Sequence, residues 1–154
     1  MSGEAKRRRL RALVRRAGIP ASQAGDLAIV ERAFVHESHA KERGGRSNER
    51  LEFLGDSVLG FVTAAWLFER YPEASEGELT VRKAYIVNDA QLARTALRLG
   101  FDDVVELGSG MRRSGGAQNP TVLADAFEAF VAALYRSYDL ATAARFVERH
   151  HIEM

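Results

Sequence analysis

The stretch Asn48-Glu49-Arg50-Leu51-Glu52-Phe53-Leu54-Gly55-Asp56-Ser57-Val58-Leu59 decides the fold. Its apolar residues recur at helical spacing, and Asn48 is a good helix cap. At about 100° per residue, Glu52 and Asp56 lie about 300° and 340° from Glu49, so the three acids share an arc of about 60°. Gly60 and Thr63 continue that strip with small side chains. The rest of the helix is apolar through Leu67 and Phe68, and it should end just before Pro72, because proline disfavours helix in the preceding residue. A helix apolar on most sides is normally buried. Gly55 predicts a close approach at this point, since a mid-helix glycine costs about 1 kcal/mol relative to alanine.

A second helix repeats the arrangement. Pro120 fits its first turn, Asn119 its cap, and the pattern runs to about Ser137. Asp125 and Glu128 are neighbours three apart, with the small Ala129 and Ala132 beside them. Like charges at this spacing repel, and a buried carboxylate without a partner is expensive. No Lys or Arg lies between residues 51 and 68 or between 121 and 135. A bound cation is the simplest resolution, and all-oxygen ligands favour Mg²⁺, with Mn²⁺ as a substitute. His36, His150 and His151 offer no zinc spacing with these acids. A cation so held can activate water and stabilise charge on a phosphoryl oxygen. The residues thus point to metal-assisted phosphodiester or pyrophosphate hydrolysis, without deciding between a polymer and a nucleotide.

A length of 154 residues suits one all-α domain, residues 1–154, with strand signals poor throughout. The chain has no cysteine, which excludes disulfides and thiolate metal sites. No apolar region follows the basic N-terminus as in a signal peptide, and no stretch approaches a membrane span, so the expected location is the cytoplasm. Residues 1–18 carry seven basic side chains, including Arg7, Arg8 and Arg9, against Glu4 alone, a net +6. With +1 overall, the remainder carries −5. A solvated basic helix face and a polyanion contact both fit this asymmetry.

The predicted helices begin with residues 5–17, stopped by Gly18. Asp26 is expected to cap the next, with Leu27, Val30, Ala33 and Phe34 as its apolar stripe; residues 41–47 then form a polar loop. A helix starting near Glu78 gives way at Asn88 to one over residues 89–99, stopped by Gly100. Residues 108–116 form a glycine-rich loop carrying Arg112 and Arg113, and Asp139 caps a last helix to about His150.

Residues 48–59 closely resemble the signature helix of the ribonuclease III family. Other segments agree in order: Ala33-Phe34-Val35-His36-Glu37-Ser38, Glu76-Gly77-Glu78-Leu79-Thr80, Ser114-Gly115-Gly116, and Leu123-Ala124-Asp125-Ala126-Phe127-Glu128-Ala129. The resemblance implies an all-α, homodimeric endonuclease domain that cuts double-stranded RNA with Mg²⁺. It implies Glu52, Asp56, Asp125 and Glu128 as metal ligands, Glu49 and Glu76 as accessory acids, and Phe53 as an interface residue. The resemblance also has departures. Val35 stands where the family has threonine, and Lys83 where it favours arginine. Gln118-Asn119-Pro120 replaces a basic residue before the second acidic helix. The sequence ends at Met154, which predicts a nuclease domain without the family's double-stranded-RNA-binding domain. The segment from Lys6 to Arg16, with Lys83, Arg112 and Arg113, is then expected to supply phosphate contacts. Two alternatives are a non-catalytic RNA-binding or ribosome-associated member of the fold, disfavoured by retention of all four acids, and an all-helical nucleotide pyrophosphohydrolase, whose acid spacing does not explain residues 48–59.

Overall fold

Helix α1 spans Gly3–Arg16, α2 Ala28–Arg32, α3 Glu37–Arg43, α4 Glu49–Arg70 and α5 Glu76–Ile86. Helix α6 spans Asp89–Arg98, α7 Ser109–Arg113, α8 Pro120–Ser137 and α9 Leu140–Val147. The computed structural model describes residues 1–20, 23 and 27–154. The expected Asp26 cap lies outside the described residues. Among those described there is no strand, only a single bridge that pairs Val35 with Glu106.

Helix α8 is the axis of the fold. Eleven of its residues, from Val122 to Leu134, are buried, and α4, α6, α9 and α2 pack around it. Its aromatic residues join a ring cluster in which Phe130 meets Phe101, Phe146 and Phe34 at centroid distances of 5.5, 5.1 and 5.8 Å. Only Asp125 and Glu128 interrupt this apolar surface on the side facing α4.

Local chemistry explains most helix ends. Asn119 accepts from the Thr121 and Val122 amides, Asn88 from Gln91, and Asp139 from Thr142. Helix α5 starts two residues before the expected Glu78, because Ser75 and Glu78 form a reciprocal capping box. Gly18 and Gly100 end their segments at φ +84° and +79°, where a Cβ would be strained.

Four expectations are corrected. Asn48 stands at the start of α4, but its side chain does not cap it. Its backbone is already near-helical, at φ −84° and ψ −1°, and the buried side chain instead donates to the Ala33 carbonyl at 3.0 Å. This bond and Asn48 N–H to Val35 O at 2.8 Å tie α4 to the end of α2. The polar segments expected as loops hold helices α3 and α7. Helix α3 is capped by the His36 ring, whose Nδ1 accepts from the Ser38 amide, and Glu42 accepts from the Ser109 amide at the start of α7.

The third correction concerns α4, which is not buried all round. It buries Leu51, Gly55, Val58, Leu59, Val62, Thr63 and Leu67, yet Phe53, Phe61 and Phe68 are 80, 60 and 69 % exposed. These three phenylalanines share one stripe, since 8 and 15 residues of helix return to within about 80°. Fourth, by length and composition α4 would meet the requirement for crossing a membrane, against the sequence reading. Its packing on α8 gives such a composition another cause, that of a central helix with one covered face.

Candidate metal centre

The site is built where α4 crosses α8. A Cβ placed on Gly55 would lie 1.8 Å from the Glu128 carbonyl oxygen and 2.4 Å from its carbon. The two backbones therefore touch here, as only glycine allows. Glu52 lies three residues before Gly55 and Asp56 just after it, while Asp125 lies one turn before Glu128. The crossing consequently gathers carboxylates from both helices. One oxygen each from Glu52, Asp125 and Glu128 lie within 4.8 Å of one another. Asp56 is exposed and stands outside that group of three, but its charge acts on both Glu52 and Glu128.

The electrostatics follow from this packing. Burial, then the charges of Asp56 and Glu52, push the Glu128 carboxyl up to about 8. Burial and Glu52 raise Asp125 to about 6. Glu52 is also raised, by burial first and then by Glu49 and Asp56. Among the described residues none of the four forms an ion pair or a side-chain hydrogen bond. Hard oxygen donors that repel one another and lack a cationic partner fit a divalent cation such as Mg²⁺ or Mn²⁺.

The other expected residues are distributed unevenly. Glu49 opens α4, accepts from the Ser47 hydroxyl at 2.8 Å and adds to the field at Glu52. Glu76 opens α5 and accepts from Thr80 at 2.9 Å; it is not among the charges that perturb the cluster. The Lys83 side chain lies over Gly60, where a Cβ would be 3.6 Å from its Nζ. Arg7 pairs with Glu31 at 3.2 Å and Arg9 pairs with Asp103, while Lys6 pairs with Glu106. The basic segment is thus part of a docked helix that buries Leu10, Leu13 and Val14. Arg8 is exposed and has no ion pair among the described residues. Arg112 donates to the Val105 carbonyl at 2.9 Å, and Arg113 is exposed. Phe53 lines a cleft of about 650 Å³ together with Leu51 and Leu54 and with the charged Glu49, Arg32, Arg50 and Arg136.

Sequence reasoning missed Asp89. Its charge reaches Glu52, Asp125 and Glu128, although it belongs to neither acidic helix. The only signal in the sequence was its place directly after the Asn88 cap, which announces a helix start and says nothing about what that start faces.

A family model described as Ribonuclease-III-like matches residues 26–154. Ribonuclease 3 of Bordetella avium is 45 % identical over 128 residues, covering 83 % of this chain and 49 % of that protein. Ribonuclease 3 of Bacillus cereus is 44 % identical over 126 residues, covering 80 % and 51 %. The chain thus spans about half the length of the curated relatives it matches. The nuclease domain of ribonuclease III from Campylobacter jejuni superposes with a TM-score of 0.83 at 27 % identity, over 99 % of this chain and 96 % of that domain. A second structure of that domain, described by flexibility in a region involved in its dimer formation, gives a TM-score of 0.80 at 29 % identity, over 90 % and 95 %.

Proposed function

Because the chain belongs to the ribonuclease-III-like family, we propose that it is a Mg²⁺-dependent endoribonuclease that cleaves double-stranded RNA in cytoplasmic RNA processing. Hydrolysis of the phosphodiester would leave 5′-phosphate and 3′-hydroxyl ends. The observation that carries this reading is the unneutralised meeting of Glu52, Asp125 and Glu128 at the glycine crossing of α4 and α8.

Glu52, Asp56, Asp125 and Glu128 would hold the cation. When bound, it supplies an activated water and charge stabilisation at the phosphoryl oxygen. The chain's own contribution is preorganisation: the backbone contact at Gly55 fixes the carboxylates of two rigid helices relative to one another. With its carboxyl raised to about 8 by burial and the neighbouring acids, Glu128 would hold a proton at neutral pH without a cation and would give it up on binding one. Glu49, exposed beside Ser47, and Glu76 on α5 would serve as accessory acids near the scissile phosphate or a second metal. Arg8 and Arg113, both exposed, are the better placed of the expected phosphate contacts. Arg7, Arg9 and Arg112 would first have to leave protein partners.

Homodimerisation would cover the phenylalanine stripe of α4. Exposed apolar surface of this kind marks an interaction site, and Phe53 lines a cleft together with Leu51 and Leu54. Residues 1–154 act in this reading as a single nuclease domain.

The test is incubation with long duplex RNA, single-stranded RNA and nucleoside triphosphates, with and without Mg²⁺, alongside Glu128→Gln. Duplex-specific cutting that requires Mg²⁺ and is nearly lost in the variant is expected. Triphosphate hydrolysis without RNA cutting, or duplex binding without cutting, would overturn the proposal.

A further inference from the structure

We propose that Asp89 is a further carboxylate of the metal centre, which sets its affinity for the divalent cation from outside the direct ligand set. This rests on the metal-dependent reading above and adds a residue from a third helix. Asp89 is the first residue of α6. The preceding Asn88 takes the capping role, accepting from the Gln91 amide at 3.0 Å, which leaves the Asp89 carboxylate uncommitted. Among the described residues the Asp89 side chain has no hydrogen bond or ion pair.

Helical spacing fixes the side it occupies. Leu92, Ala93 and Ala96 follow at three, four and seven residues, so they share its face within about 60°. All three are buried, at 0, 4 and 0 % exposure, and α6 packs mainly on α8, the helix that carries Asp125 and Glu128. Asp89 therefore stands at the exposed end of the α8-facing stripe. Its charge has the smallest effect of those that act on Glu52, Asp125 and Glu128, as suits a carboxylate outside their group of three.

Such a placement is unfavourable without a cation, because like charges gather around groups that already repel. A bound divalent cation would add an attraction to Asp89 that opposes these repulsions. Mg²⁺ also keeps several of its waters, and these need acceptors beyond the direct ligands. Outer-shell groups at metal centres commonly contribute 10- to 100-fold in affinity.

The test is calorimetric titration of the RNA-free protein with MgCl₂ and with MnCl₂, comparing the unchanged chain, Asp89→Asn, Asp89→Glu and Glu73→Gln. Glu73 is an exposed acid at the turn between α4 and α5 and controls for net charge. Asp89→Asn is expected to weaken binding about tenfold. Asp89→Glu should stay within about twofold and Glu73→Gln should leave binding unchanged. RNA cleavage by Asp89→Asn should need more Mg²⁺ for half-maximal rate but reach the unchanged kcat when saturated. The inference is overturned if Asp89→Asn binds like the unchanged chain, or if Glu73→Gln weakens binding equally. In both cases metal dependence itself survives. If the unchanged chain takes up neither cation, the metal-dependent reading falls, and this inference with it.

Discussion

Replacing Gly55 with alanine tests the central geometric claim. The new Cβ would lie 1.8 Å from the Glu128 carbonyl oxygen, against a practical minimum of 3.0 Å, so the helices must part by at least 1.2 Å. The obstacle is backbone, which cannot swing aside as a flexible side chain would. Two effects oppose one another. Alanine favours the helix by about 1 kcal/mol. Overpacking a filled contact destabilises by about 1 to 3 kcal/mol, and a backbone clash belongs at the upper end. The expected net loss is about 2 kcal/mol, or about 4 to 8 °C in Tm for a chain of this size. Any surviving folded protein should have the Glu128 carboxylate displaced by about 1 Å, enough to lower the cleavage rate about 100-fold. Thermal and urea unfolding followed by circular dichroism, with duplex cleavage at a temperature where both proteins are folded, read these quantities. Gly60→Ala is the internal control on the same helix. There the Cβ would be 3.6 Å from the flexible end of Lys83, an ordinary contact, so stability should rise by up to about 1 kcal/mol. A Gly55→Ala protein as stable and as active as the original would refute the backbone contact and the site geometry built on it.

The raised Glu128 carboxyl predicts a pH-dependent site. Between the unfolded value of 4.5 and the folded value of about 8, the native state holds the extra proton. Its contribution to metal-free stability is therefore full below about 4.5 and is lost as pH rises toward 8. Saturating Mg²⁺ should abolish that slope in thermal melts, and calorimetry in two buffers of different ionisation enthalpy should show proton release on Mg²⁺ binding near pH 7. His151 has the opposite sense. Its Nε2 donates to the Ile86 carbonyl at 2.7 Å and its Nδ1 accepts from Thr95 at 2.8 Å, while burial first and Arg98 after it hold its pKa below 6.5. Its contribution is full above about 6.5 and is lost as pH falls below that value, so His151→Gln should flatten the acid limb of the stability curve. Phe53→Asp is expected to leave Mg²⁺ binding intact but give a monomer in sedimentation experiments; an unchanged oligomeric state would remove the phenylalanine stripe as the interface.

The helix ends and the acid strips are legible in the amino-acid order alone. Asn88, Asn119 and Asp139 cap their own next turns, Pro72 and Gly100 stop theirs, and each rule acts over a few residues, so it can be read without the fold. The spacing of Glu52 with Asp56 and of Asp125 with Glu128 is fixed by the 3.6-residue period, and Gly55 marked the close approach in advance. What those features meet is fixed by the packing of the helices. It put the Glu128 backbone against Gly55, brought Asp89 to the cluster from another helix, and paired Lys6 and Arg9 with Glu106 and Asp103, partners about a hundred residues away. It also redirected Asn48 from capping α4 to the Ala33 carbonyl and left Phe53, Phe61 and Phe68 in solvent. Periodicity reports which residues share a face of a helix. Whether that face is covered, and by which charges, depends on contacts between segments far apart in the chain, and no local pattern encodes them.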